Sequence, residues 1–344
     1  MAAYESVIKA IGLDNWCAEP DENAPMSMAQ FLARNGNGNP DNSDPILPFP
    51  SLDTLHEVCS SIPQTRDLTA WVEDSFLSIK DGLKLVLDPL TQPLSWMLDS
   101  ALYVFTTVPW WILIPLLVLL TWCVTRRRGV TIFVAAVFIF FGVIDHLEVA
   151  LQTLAIIFVC TGLSVLLGVP IGIMMSRSDR MQRLTVPVLD LLQTLPSFVY
   201  LIPLIFLFSV TESKLYGIAI ILYAIVPIIR LTDLGIRLVD RDVIEAADAF
   251  GMNARQKLLG VELPLALPNI MAGVNQTIMM SLAMVVIASL VSAPGLGVLV
   301  LRGIRNLELG VGIVAGLGIV LLAVVLDRSS KAALSRLHAH KPNQ

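Results

Sequence analysis

Between residues 103 and 326 the chain is dominated by seven apolar stretches, at about 103–124, 130–144, 149–175, 186–208, 215–229, 266–291 and 310–326. Most approach the roughly 20 residues that a helix needs to cross a bilayer core, where every backbone polar group must find its partner within the segment. The expectation is an all-α polytopic membrane protein with about seven transmembrane helices. Composition agrees, since only 15% of the 344 residues are charged, against roughly 25% in soluble domains. The second stretch is the shortest, about 23 Å long at a helical rise of about 1.5 Å per residue. Arg126, Arg127 and Arg128 beside it are expected to snorkel and cover the deficit.

Seven spans put the two ends of the chain on opposite sides, and the basic residues choose between the two orientations. With the N-terminus outside, the cytoplasmic segments hold fifteen Lys and Arg, and the exterior loops beyond the N-terminal region hold only Lys214, Arg302 and Arg305. That positive-inside bias predicts an outside N-terminus and a cytoplasmic C-terminus. Residues 292–309, with Pro294, Gly295, Gly297 and Gly303, are too short and broken to span. They predict a bent external segment able to act as a gate.

Residues 1–102 carry 15 acidic and five basic side chains, and an acidic segment poor in Lys and Arg is the easier kind to leave outside. No basic n-region with an unbroken apolar run is visible at Met1 to Leu13, so this third is expected to be a tail or anchor and not a cleaved leader. Its middle, Asn35 to Pro45, is turn-rich and polar and is expected to be unstructured. From Asp67 onward Leu68, Trp71, Val72, Ile79 and Leu83 form a patchy apolar face, as in a helix lying along the membrane interface or packed on the tail itself. The expected division is a tail at 1–102, a transmembrane domain at 103–328 and a cytoplasmic tail at 329–344. Cys17 and Cys59 in the tail and Cys123 and Cys160 in apolar stretches lack metal or redox spacing, so no metal site is expected. A disulfide between Cys17 and Cys59 stays open. No basic tract points to nucleic acid.

Inside the spans the residues are small and weakly polar. Gly168-x3-Gly172 and Gly312-x3-Gly316 are small-xxx-small faces suited to close helix packing. Asp190 is the only acid placed well within an expected span, near its start, where a helix N-terminus or headgroup water would hold it. Two polar runs lie deeper: Gln193-Thr194-Leu195-Pro196-Ser197-Phe198-Val199-Tyr200, and Asn275-Gln276-Thr277. Helix kinks with interhelical hydrogen bonds, and a substrate path, are both open for them. On a continuous helix Gln193 and Tyr200, seven apart, share a face, whereas Phe198 diverges from Tyr200.

One loop between apolar stretches, at 240–264, has an internal order of its own. Val243, Ala247 and Phe250 recur at the spacing of one helix face. Asp242 with Glu245 predicts a helix start, Gly251 a left-handed stop, and Asn253 with Gln256 a second start. The expected form is helix, turn, helix on a membrane face. The same residues, Glu245-Ala246-Ala247-x3-Gly251-x9-Val261-Glu262-Leu263-Pro264, resemble the cytoplasmic coupling loop of permease subunits of bacterial ABC importers, the E-A-A-x3-G-x9-(I/V)-x-L-P pattern.

The resemblance sharpens in the Gln193 to Tyr200 run followed by Leu201-Ile202-Pro203, in Pro227 to Thr232, in Leu267 to Thr277, and in Met284 to Ser289 and Val300 to Ile304. Together these are similar to the glycine betaine/proline betaine class of ABC importer permeases, from about residue 95 to residue 328. The tail is only loosely similar, and Cys17 and Cys59 depart from the family. The resemblance implies a type I importer-like helical bundle in the bacterial inner membrane, and a homodimeric pore. It also implies an ABC ATPase subunit docked on the cytoplasmic side and an extracytoplasmic substrate-binding protein that delivers quaternary amines. In that setting Glu245, Ala246, Ala247, Gly251, Leu263 and Pro264 are the expected ATPase-coupling residues: Glu245 would cap and orient the short helix, and Leu263-Pro264 would end the loop at the membrane. Gln193, Phe198, Tyr200, Asn275 and Gln276 are the candidate substrate path, with Tyr200 favoured.

The sequence contains no G-x4-G-K-[ST] phosphate loop. The chain is therefore expected to be a pore subunit and not an enzyme, with no cofactor of its own, ATP and Mg being bound by the partner ATPase. Two other classes stay open. A stand-alone secondary transporter or channel would move solute without ATP, though it usually needs a carboxylate or oxygen cluster near the midplane. A membrane sensor would use the external tail as a ligand domain. Betaine, choline, proline betaine, carnitine and histidine-like cations are all compatible solutes, because the resemblance lodges specificity mostly in the separate binding protein.

Overall fold

The computed structural model describes residues 65–339, and no strand occurs among them. The chain divides into two compact units, residues 1–81 and 82–344. The described part of the first unit is the beginning of helix α1 (Thr65–Thr107), where Leu68, Trp71, Val72 and Ile79 are all exposed. Cys17, Cys59 and the polar stretch at 35–45 lie outside the described residues. Helix α1 passes without a break through residue 102, where the tail was expected to give way to the first span.

The expected span at 103–124 is bent. The chain turns through 114° between α1 and α2 (Trp110–Thr125). Pro109 causes the break: it has no N–H to continue α1, and it sits in an extended conformation, φ −56° and ψ 137°. Helix α3 (Arg128–Val143) returns after a tight connection in which Arg126 takes a left-handed φ of 52°. Leu113, Val134, Val137, Phe138 and Phe141 of this hairpin pack with Leu322 and Val325 into one apolar core.

The centre of the second unit is a trio of long helices, α4 (Leu147–Arg177), α7 (Ser213–Arg237) and α10 (Leu263–Ala288). Small residues set their separation. A Cβ on Gly172 would lie 2.6 Å from Cβ of Thr232 and 2.7 Å from the Ile229 carbonyl, so α4 and α7 are in backbone contact there. The expected Gly168-x3-Gly172 face is thus a packing face. Of the second pair, Gly312 faces Gly303, and nothing lies close to Gly316. Thr161 donates to Ser281 at 3.1 Å, joining α4 to α10.

Helix α5 (Asp179–Thr194) opens on Ser178, whose hydroxyl accepts from the Met181 N–H. The chain then bends by 105° at Leu195-Pro196 into a 3-10 turn at Ser197–Tyr200 and helix α6 (Leu201–Leu207). Beyond α10, helix α11 (Leu296–Arg305) occupies the stretch at 292–309 that was expected to be too short and broken to span. It is pinned to α4 where the Leu296 N–H donates to Thr153 Oγ1 at 2.9 Å. Helix α12 (Leu309–Ala339) closes the bundle and runs on past residue 328.

Among the described residues, four helical stretches are long and apolar enough to cross a membrane alone: Leu147–Arg177, Ser213–Arg237, Ala254–Val291 and Leu309–Ala333. Two bent pairs bring the number to as many as six, and α3 is a shorter apolar helix of 16 residues.

Candidate coupling segment and membrane path

The segment between α7 and α10 follows local rules closely. Its first helix, α8 (Arg241–Ala249), is capped by Asp240, whose carboxylate accepts from the Asp242 N–H at 3.1 Å. Asp242, expected as the cap, is already helical; Asp240 alone has the non-helical backbone a cap requires, φ −56° and ψ 132°. Glu245 is mid-helix and exposed, so it does not cap; Ala246 beside it is exposed too.

Gly251 ends α8 as expected. Its φ is +73°, its N–H bonds to the Asp248 carbonyl at 2.9 Å, and the Met252 N–H bonds to the Ala247 carbonyl at 3.1 Å. Those crossed bonds are the left-handed helix stop that glycine favours. Asn253 and Gln256 then bond reciprocally, 2.9 Å each way, to start α9 (Ala254–Lys257). Lys257 reaches back to Asp248 at 2.6 and 2.9 Å and braces the two short helices.

Of the predicted apolar face only Ala247 is buried; Val243 is exposed, and Phe250 is 85% exposed. Phe250, Met252 and Leu259 line an open groove of about 690 Å³ together with Gly251, Arg255, Gln256 and Gly260. Of this amphipathic face, only Ala247 packs into the chain itself.

Leu263-Pro264 does not end the segment. A π turn at Leu258–Glu262 carries α9 straight into α10, with the Leu263 N–H bonding to the Leu258 carbonyl five residues back. Pro264 explains the wider turn, since its ring would collide with the Gly260 carbonyl in a regular helix. Leu263 and Pro264 are half-buried within one helical run from Ala254 to Val291.

Three ion-pair groups at this end of the bundle escaped sequence reasoning. Glu262, 3% exposed, pairs with Arg177 at the end of α4. Arg237 at the end of α7 reaches Asp233 and Asp179, both at 2.9 Å, and the Met175 carbonyl at 2.8 Å. Gln182 donates to Asp233 at 2.9 Å. Asp190, expected to be held by a helix N-terminus or headgroup water, pairs with Arg230. Asp233 and Asp327, just beyond the expected spans, also lie in helices long enough to cross a membrane. Only Asp233 and Arg237, four apart on one helix, carry a local signal; the members of the other pairs are up to 85 positions apart.

The candidate path residues divide by environment. The 105° bend removes the shared face of Gln193 and Tyr200, because Leu195, held extended before Pro196, interrupts the helix between them. Tyr200 is buried and its hydroxyl donates to the Leu192 carbonyl, whereas Gln193 and Phe198 are exposed. On α10, the Asn275 amide donates to Asp327 of α12 and accepts from Ser330, both at 2.9 Å, while Gln276 is exposed. Tyr200 and Asn275 therefore hold helices together. Gln193, Phe198 and Gln276 keep free faces.

Comparison with known proteins covers this whole region. The family described as "Binding-protein-dependent transport system inner membrane component" matches residues 164–338. The glycine betaine/proline betaine transport system permease protein ProW of Escherichia coli is 39% identical over 286 residues, 83% of this chain and 78% of its own length. The glycine betaine transport system permease protein OpuAB of Bacillus subtilis is 39% identical over 255 residues, 74% and 85% of the two chains. Among solved structures, an inward-facing MetNI methionine ABC transporter chain superposes with a TM-score of 0.51 at 19% identity, covering 56% of this chain and 95% of that one. That likeness concerns the fold alone. The matched segment contains the coupling-like loop, its ion pairs and every candidate path residue, and on this ground the chain belongs to the family of inner-membrane components of binding-protein-dependent transport systems.

Proposed function

We infer that this chain is the pore-forming permease of an ATP-driven importer of glycine betaine/proline betaine-type quaternary amines. It works as a homodimer, with an ABC ATPase on its cytoplasmic face and an extracytoplasmic binding protein that delivers the solute. The carrying observation is the segment at 240–264. It presents an exposed Phe250 and an open groove at the end of a helical run that continues into the bundle, in a chain whose relatives are named for glycine betaine transport. Residues 1–102 are external, 103–328 form the translocating domain and 329–344 are cytoplasmic, in keeping with the positive-inside count.

In this reading Glu245, Ala246, Ala247 and Gly251 meet the ATPase, and Leu263 and Pro264 pass its movement into α10. ATP hydrolysis belongs to the partner. A quaternary ammonium has no N–H to donate, so aromatic faces and dipoles must hold it, weakly enough for release. The exposed Phe198, Gln193 and Gln276 supply such groups, and Tyr200 and Asn275 keep their backbone in place. The test is reconstitution in proteoliposomes with an ABC ATPase subunit and a binding protein from the same organism. Uptake of labelled glycine betaine is expected only with all three components and ATP. Uptake by the chain alone would replace this reading with that of a secondary transporter or channel.

A further inference from the structure

The segment at 238–261 is held at both ends by polar contacts that close on one place. Upstream, Arg237 grips the Met175 carbonyl and the Asp179 carboxylate. Downstream, Glu262 pairs with Arg177. Met175, Arg177 and Asp179 form the elbow where α4 ends and α5 begins. The two clamps differ in environment. Glu262 is 3% exposed and sits on the last residue of the π turn, so its position is fixed both by burial and by the turn that Pro264 requires. Arg177 is its ion-pair partner among the described residues. A buried carboxylate that loses its cation is left uncompensated, so the elbow and the π turn must move together or break the pair.

The elbow leads directly to the candidate path. α5 starts from it, is tied to α7 by Gln182 to Asp233 and by Arg230 to Asp190, and ends at the Leu195-Pro196 bend beside Phe198. We propose that Arg177 and Glu262 form a strut that transmits displacement of the coupling segment to the α4–α5 elbow, and through α5 to the broken span. They are positioning residues; neither needs to touch solute or nucleotide. Displacement at one end of α10 reaches the path by two routes, along α10 itself and through this strut. The second enters through the elbow and runs along α5 to the Pro196 bend, whereas α10 packs against the turn that follows that bend. The inference rests on the transport reading above.

The test uses the assembled transporter in proteoliposomes and reads solute imported per ATP hydrolysed, with the amount of assembled complex measured alongside. Glu262→Gln and Arg177→Gln are each expected to lower that ratio by about tenfold, the scale of a typical coupling between sites. The double variant is expected to fall no further than either single one, because the two residues act as a unit. A merely structural role would lower the amount of complex and leave the ratio intact, and that result would overturn the strut. So would additive losses in the double variant. Absence of ATP-dependent uptake by the unmutated complex is a different result: it removes the transport reading itself.

Discussion

The Tyr200 hydroxyl donates to the backbone carbonyl of Leu192, the residue four before Pro196. In a regular helix that carbonyl would accept from residue 196, but proline has no N–H to give. The tyrosine therefore replaces the hydrogen bond that the bend removes, and it does so from beyond the bend. Tyr200→Phe keeps the ring and deletes the bond, so it should destabilise the purified complex by about 1 kcal/mol. A lowered thermal midpoint, with the transport rate of the surviving protein close to normal, is the expected outcome. Tyr200 would return to the substrate path if the midpoint held and uptake fell.

Gly251 has a φ of +73° and open space around its missing Cβ. Substitution there meets no neighbour and is strained only in the backbone. Gly251→Val should cost about 1–3 kcal/mol locally and lower uptake, whereas Gly251→Asn, which tolerates the left-handed region, should retain most of it. Equal uptake by the two variants would show that the turn does not matter to coupling.

Asn275 links α10 to α12 through Asp327 and Ser330. Hydrogen bonds between membrane helices are each worth about 0.6 kcal/mol on average, so Asn275→Leu should destabilise by about 1 kcal/mol and leave Asp327 short of a partner. Thermal unfolding measures this, and solute selectivity should stay unchanged. Altered preference among glycine betaine, choline and carnitine would place Asn275 in the path after all.

The orientation inferred from basic residues predicts opposite labelling of two exposed positions. In a chain freed of native cysteines, Leu307→Cys between α11 and α12, where the native residue is 89% exposed, should react with an impermeant thiol reagent in intact cells. Gly129→Cys, at the start of α3 with nothing near its Cβ, should react only after the membrane is opened. Reversed labelling would move the coupling segment to the outside.

What the sequence determined by itself is whatever depends on neighbours along the chain. Apolar length predicted helices, Gly251 predicted a left-handed stop, and Asn253 with Gln256 predicted a capped start, because each needs only a few consecutive residues to close its own hydrogen bonds. Prolines were legible as irregularities, but not as bends of 114° and 105°. A missing N–H frees the chain to turn, and packing decides how far it turns. The tertiary structure alone decided the partners of polar groups that lie far apart in sequence. Glu262 reads in sequence as one acid in a loop, and becomes a buried ion-pair member only when α4 brings Arg177 to it. Tyr200 and Gln193 read as one helical face until the bend parts them. Burial and pairing depend on which segments meet in space, and at separations of up to 85 residues no local pattern carries that information.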